Sequence, residues 1–280
     1  GQGTVKAAQD ATVSSTNGIV SIDGAVNAGR DASISSTTGK VIIGLSGVTS
    51  TDTDVEAGRN VDITTSNDNT DSDIWIYGNV HSNDDTTMST RKGDIVIIGN
   101  VTSDQGKIDL QTLTSGEIYN TGNIIANNSD INIALASGDF VNGSDIISKT
   151  GQVSIATADG SIKVGGKINA QTDIDMKALS GITTNGHVTA GNNITQLVTG
   201  DGTITNGDGI AAGGNLTEQV LGKGNLNINN SLTTGKDLNL LTNNGSINLK
   251  LPGTSTIGGD LHITAKNGNA NVDGYLGLGG

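Results

Sequence analysis

One short phrase recurs along this chain, and it limits the possible folds more than any other feature. A glycine, a polar residue and then Asp or Asn lead into an apolar–any–apolar triplet. The phrase reads Gly29-Arg30-Asp31-Ala32-Ser33-Ile34 and again Gly58-Arg59-Asn60-Val61-Asp62-Ile63. Later copies open at Gly191-Asn192-Asn193-Ile194, Gly213-Gly214-Asn215-Leu216, Gly235-Lys236-Asp237-Leu238 and Gly258-Gly259-Asp260-Leu261, spaced 22, 22 and 23 residues apart. Fainter copies fill the middle: Ile108-Asp109-Leu110, Ile131-Asn132-Ile133, Val153-Ser154-Ile155 and Ile174-Asp175-Met176. A fixed period of this size is the signature of a stacked-repeat architecture.

Each repeat carries a second apolar alternation introduced by glycine, as in Gly18-Ile19-Val20-Ser21-Ile22, Gly93-Asp94-Ile95-Val96-Ile97 and Gly245-Ser246-Ile247-Asn248-Leu249. A short third segment follows, as in Gly99-Asn100-Val101 and Gly122-Asn123-Ile124. Period-two alternation points apolar side chains to one face of a strand and polar ones to the other. Gly and Asn at the joints are expected to supply the positive φ of sharp corners. One such lap cannot bury its own inner face, but laps stacked about 4.8 Å apart can. No segment shows helical i, i+3, i+4 spacing. The sequence therefore predicts an all-β chain: a parallel β-helix (β-solenoid) of roughly twelve triangular coils, each about 20–23 residues long. Right-handedness is expected from the general preference of parallel crossovers. The expected domain organisation is one repeat domain over 1–280, an internal segment of a longer exported protein.

Composition agrees with a slender core. Glycine contributes 42 of the 280 residues and aromatics only 2%, too few large side chains for a conventional globular interior. The formal charge of −13 disfavours nucleic acid and anionic membrane surfaces, which both select clustered Lys and Arg. With no cysteine there are no disulfides or thiolate metal sites. There is no apolar run long enough for a transmembrane helix, so membrane insertion is not expected.

The repeat units resemble the shaft of filamentous-haemagglutinin-type exoproteins, the large adhesins of two-partner secretion in Gram-negative bacteria. The resemblance rests on Ala57-Gly58-Arg59-Asn60-Val61-Asp62-Ile63, Ala190-Gly191-Asn192-Asn193-Ile194, Thr234-Gly235-Lys236-Asp237-Leu238-Asn239-Leu240 and the unit from Asn244 to Leu249. It implies export through an outer-membrane transporter and a secreted or cell-surface location. The Asn-Pro-Asn secretion motif of that family is missing, since the one proline, Pro252, follows Leu251.

Aligning the second strands on their inward residues gives the outward neighbours Ser21, Ile42, Trp75, Val96, Tyr119, Val141 and Lys163. Five consecutive coils thus turn an apolar or aromatic side chain outward. Tyr77 and Ile98 extend the set, while Thr183, Thr205, Asn227 and Asn248 restore polarity later. The first strand reads as polar outward throughout, from Thr12 and Ser33 to Asn239 and His262. A stripe of this kind is a candidate interaction surface. Its residues are Ile42, Trp75, Tyr77, Val96, Ile98, Tyr119 and Val141, with Trp75 a possible platform for a glycan ring. The competing explanations are β-propensity and a covering segment from elsewhere in the protein.

Two or three corners, near 45–57, 65–73 and 82–92, read as longer than the period and are rich in acids. Asp52, Asp54, Asp71 and Asp73 are weak Ca²⁺ candidates, because their spacing matches neither an EF-hand loop nor the Ca²⁺-binding nonapeptide. Solvated acidic loops are the simpler reading, and neither a cofactor nor a metal is expected. For catalysis, Asp173 and Asp175 lack a recurring basic partner, and His81, His187 and His262 fall in separate coils. N-glycosylation sequons such as Asn100-Val101-Thr102 are expected by chance in so Asn- and Thr-rich a chain. Asn192, Asn193 and Asn215 are expected to stack as side-chain amide ladders at corners.

The function this predicts is a non-catalytic adhesin shaft that displays or forms a binding surface for a host or bacterial surface glycan or protein. The runner-up is the stalk of a contact-dependent toxin-delivery protein, or a subunit of a self-assembling extracellular fibre that associates side by side or end to end. A β-helix polysaccharide lyase or hydrolase ranks last.

Overall fold

The computed structural model describes residues 3–44, 53–68 and 72–279. The chain is an all-β solenoid of about twelve turns of stacked parallel strands, and the described residues include no α-helix. It divides into two compact units, Gly1–Ser144 and Asp145–Gly280.

Both units are built the same way. Each turn has one longer first strand and two three- or four-residue strands, separated by tight corners. In the first unit the first strands are Ala11–Ser15, Ala32–Ser36, Val61–Thr65, Thr86–Lys92, Ile108–Ser115 and Ile131–Leu135. In the second they are Val153–Thr157, Ile174–Ala178, Ile194–Val198, Leu216–Val220, Leu238–Thr242 and Leu261–Ala265. Every recurrence of the apolar–any–apolar triplet named above is one of these strands. The last two turns of the second unit differ, because Ile247–Ile257 and then Ala270–Leu278 run through the positions of both short strands.

Register follows the sequence period. In the second unit Val153 pairs with Ile174, Ile174 with Ile194, Ile194 with Leu216, Leu216 with Leu238 and Leu238 with Leu261, steps of 20 to 23 residues. The first unit contains longer steps. Val26 pairs with Val55, and Val41 with Ile74, so extra residues sit at the corners between Ile43 and Val55 and between Thr65 and Ile74. The third expected long corner, at 82–92, is not one. Thr86 pairs with Val61 on one side and Ile108 on the other, so Thr86–Lys92 is a first strand in ordinary register. Its inward residues are Thr86, Met88 and Thr90 rather than branched aliphatics, which hid it from the pattern.

The interior is a column of aliphatics. Ile34, Ile63 and Met88 stack in successive first strands and Ile74, Ile95 and Ile118 in successive second strands, all essentially inaccessible to solvent. Identical side chains stack because neighbouring turns are in parallel register, so each turn completes the burial of the one before it. Small hydroxyls close the strand ends: Thr90 Oγ1 donates to the Gly93 carbonyl at 2.7 Å, and Thr242 Oγ1 to that of Gly245 at 2.7 Å.

The corners work differently from the expectation. Among the described residues no non-glycine residue has positive φ, so Asn does not serve as a left-handed corner residue. The Asp or Asn of the repeat phrase is an acceptor instead. Asp173 Oδ1 takes the Asn193 N–H at 3.0 Å, Asn193 Oδ1 that of Asn215 at 2.9 Å, Asn215 Oδ1 that of Asp237 at 3.1 Å, and Asp237 Oδ1 that of Asp260 at 2.9 Å. Asp and Asn interchange because both supply the acceptor oxygen each rung needs; where the residue is Asn its amide can donate as well, as Asn193 Nδ2 does to Asp173 Oδ1 at 3.0 Å. Asn192 is not a rung; it bonds through its backbone N–H to Thr172. Side-chain amides do stack at corners, where Asn100 Nδ2 donates to Asn79 Oδ1 at 3.1 Å, and a further amide ladder lies on the second strand, where Asn248 Nδ2 donates to Asn227 Oδ1 and Asn271 Nδ2 to Asn248 Oδ1, both at 2.8 Å.

Candidate functional site

Three-residue strands set the candidate surface. In Val41–Ile43, Ile74–Ile76, Ile95–Ile97, Ile118–Asn120 and Phe140–Asn142 the two end residues are buried, so the pleat turns the middle one outward. The pairing aligns these middle residues: Ile42 with Trp75, Trp75 with Val96, Val96 with Tyr119, and Tyr119 with Val141. All five lie in the first unit and form one column about 19 Å long at the usual strand spacing. Tyr119 is the most open, 43% exposed, and the other four are half-buried. Such side chains present flat, packed apolar faces rather than protruding knobs.

Tyr77 and Ile98 form a second, shorter column. Their backbone N–H groups bond the carbonyls of Ile43 and Ile76 at 2.9 and 2.8 Å, which places them just past the ends of adjacent second strands. The Trp75 and Tyr77 ring centres lie 6.0 Å apart and are tilted by 36°, an aromatic pair within contact geometry. All seven residues proposed from the sequence therefore fall on one face of one unit.

A charged edge borders this face. The residue preceding each second strand stacks in register as Lys40, Asp73, Asp94, Glu117 and Asp139, joined by backbone bonds from each strand to the next corner. Lys40 Nζ pairs with Asp73 Oδ2 at 2.9 Å, and the Trp75 indole N–H reaches the same oxygen at 3.4 Å. Asp73 Oδ1 accepts the Asp94 N–H at 3.0 Å, and Asp94 Oδ1 that of Glu117 at 2.8 Å. Trp75 is thus tethered to an acidic column that the sequence analysis did not connect to it. The signal was present: Asp73 lies two residues before Trp75, on the same side of the pleat.

The two described Ca²⁺ candidates, Asp54 and Asp73, each serve as a corner acceptor. Asp54 is buried and accepts the Asn79 N–H at 2.8 Å and its side-chain amide at 3.2 Å, which makes it a corner rung like Asp73. Asp52 and Asp71 lie outside the described residues. Among the described residues no three His, Cys, Asp or Glu side chains gather to hold a metal. Asp173 is also a corner rung, and His81 Nε2 lies 3.0 Å from Asp104 Oδ2 in an exposed pair.

The first strand is less uniformly polar outside than expected. Its second outward position carries Ala134 in the first unit and Leu197 and Leu241 in the second. These are separated by Gln219 and similar residues and make no continuous column.

These features define a β-solenoid carrying an apolar column edged by acids. No family model, no curated protein and no solved structure matches the chain.

Proposed function

We propose that the chain is a non-catalytic shaft segment of a secreted or surface-attached bacterial adhesin, and that the apolar column of its first unit contacts the ligand. The supporting observation is the column itself: five turns in succession expose Ile42, Trp75, Val96, Tyr119 and Val141 where the second unit carries Lys163, Thr183, Thr205, Asn227 and Asn248 at the equivalent position. The stacked fold does not require an apolar residue at that position, since the second unit forms the same turns with polar ones. The flat aromatic and aliphatic face, edged by carboxylates, suits a sugar ring or protein segment with an apolar face and hydrogen-bond donors along one side. The resemblance of the repeat phrases to filamentous-haemagglutinin-type shafts supports export and surface location.

The test is the double variant Trp75→Ser/Tyr119→Ser, with Thr183→Ser as a control. Binding is read on a glycan array, on cells, and as self-association by sedimentation. Melting curves establish that each variant is folded. At least a tenfold loss of the wild-type binding in the double variant, with the control unchanged, is expected. A folded double variant that binds as well as wild type refutes the assignment.

A further inference from the structure

The core of the second unit contains a polar cluster that the repeat pattern does not require. Gln196 and Glu218 occupy the central inward position of adjacent first strands, where the other turns place Val, Ile, Leu or Met, and both are fully inaccessible. They are paired in register, with Met176 beyond Gln196 and Leu240 beyond Glu218. Two inward residues of the second strands, Thr184 and Asn206, face them and are equally buried.

The hydrogen bonds fix the orientation of each group. Thr184 Oγ1 donates to Asn206 Oδ1 at 2.8 Å, and Gln196 Nε2 donates to the same oxygen at 3.0 Å. Asn206 must then direct its amide nitrogen at Glu218, and Nδ2 lies 2.8 Å from Glu218 Oε1. Two oxygens are left over, Gln196 Oε1 and Glu218 Oε2, both buried and without a partner. They belong to side chains one strand spacing apart, about 4.8 Å between backbones. Two acceptors buried side by side are costly unless a proton lies between them.

We propose that Glu218 is a buried proton-binding site: its carboxyl stays protonated in the folded chain at neutral pH, donates from Oε2 to Gln196 Oε1, and so closes the Thr184–Asn206–Gln196–Glu218 network. Release of that proton loosens the second unit. Around Glu218 pack the first strands Ile194–Val198 and Leu238–Thr242, the second strands Thr203–Asn206 and Leu226–Ile228, and the third strands Ile210–Ala212 and Leu232–Thr234. Their inward side chains include no titratable or charged group, so no cation stabilises an ionised form. Burial raises the Glu218 carboxyl to about 8, opposed only by the bond from Asn206.

The sign follows from the raised value. The unfolded chain loses this proton at ordinary glutamate pH, while the folded chain keeps it until about 8. Stability due to this group is therefore fully present below the unfolded value and declines as pH rises through the folded one. Across that window the unfolding constant should rise by about tenfold per pH unit from this site alone.

The full chain and Glu218→Gln are compared by unfolding from pH 5 to 9.5 at fixed ionic strength. The Gln amide keeps a donor toward Gln196 but has no proton to lose. Wild type should lose stability relative to Glu218→Gln as pH rises, and its unfolding at pH 7 should release about one more proton, read calorimetrically in buffers of different ionisation enthalpy. The infrared band of a protonated carboxyl should be present in folded wild type at pH 7 and disappear on alkaline titration. That band needs no variant, so the test survives if Glu218→Gln fails to fold. Absence of the band at pH 7, or parallel pH profiles with equal proton release, would overturn the proposal.

Discussion

Replacing glycine by alanine at two positions of the second unit should have opposite effects. Gly213 stands in a column with Gly191, Gly235 and Gly258, where successive turns come closest. A Cβ at Gly213 would lie 2.9 Å from the carbonyl carbon of Gly191 and closer still to its oxygen. Comfortable carbon–carbon contact begins at about 3.5 Å, so the backbones would have to part by at least about 0.6 Å. The Gly213 N–H bonds the Ala190 carbonyl across the same gap at 2.9 Å and would be stretched. Overpacking costs about 1–3 kcal/mol and a weakened buried backbone bond about 1 kcal/mol more, so Gly213→Ala should destabilise by about 2–4 kcal/mol. At Gly253 a Cβ meets nothing within 4 Å and φ is not in the left-handed region. There the same substitution only restricts the unfolded chain and should be neutral or stabilise by up to about 1 kcal/mol. Urea unfolding followed by circular dichroism measures both. Equal midpoints for the two variants would refute the argument that inter-turn contact, rather than turn conformation, demands glycine in this column.

Two further substitutions probe the first unit. Ile63→Ala removes a fully buried side chain stacked between Ile34 and Met88 and should cost about 2–5 kcal/mol, whereas Ile63→Val should cost about 0.5–1.5 kcal/mol; equal losses would mean the column is not closely packed. Asn100→Ala removes a corner acceptor that takes the Asn123 N–H at 2.8 Å and should cost about 1 kcal/mol, recovered by Asn100→Asp because the acceptor returns between the neutral corner residues Asn79 and Asn123. Failure of Asp to recover stability in chemical unfolding would show that the amide donor, not the acceptor, matters.

The fold was legible because it is repetitive. One strand conforming to the pattern is weak evidence, but the triplets opening at Ile108, Ile131, Val153 and Ile174 recur at steps of 23, 22 and 21 residues, and only stacked turns explain that. What the pattern missed is equally specific. Thr86–Lys92 was read as part of a long corner because threonine and methionine replace aliphatics inside it. Threonine is tolerated there because Thr90 spends its hydroxyl on the Gly93 carbonyl, a bond no periodicity reveals. Corner asparagines were assigned the wrong task for a related reason. Composition shows that Asn and Asp concentrate at turns, but whether they supply unusual φ or an acceptor depends on how near the next turn lies.

The apolar column was found by register alone, because parallel strands in step make equivalent positions neighbours in space. The same logic, applied inward, marks Gln196 and Glu218. Ile194-Thr195-Gln196 and Leu216-Thr217-Glu218 each break the apolar–any–apolar triplet at its last member, and in successive turns. A single polar residue at an inward position could reflect a shifted strand, but two at the same register in adjacent turns cannot both escape to solvent without displacing Val198 and Val220 from the core as well. Register therefore forces the two groups to face each other inside, and their chemistry then decides how they coexist. Had position 218 been Gln, a second amide could have completed the network without titration; with Glu, the only neutral donor available to Gln196 Oε1 is the carboxyl's own proton.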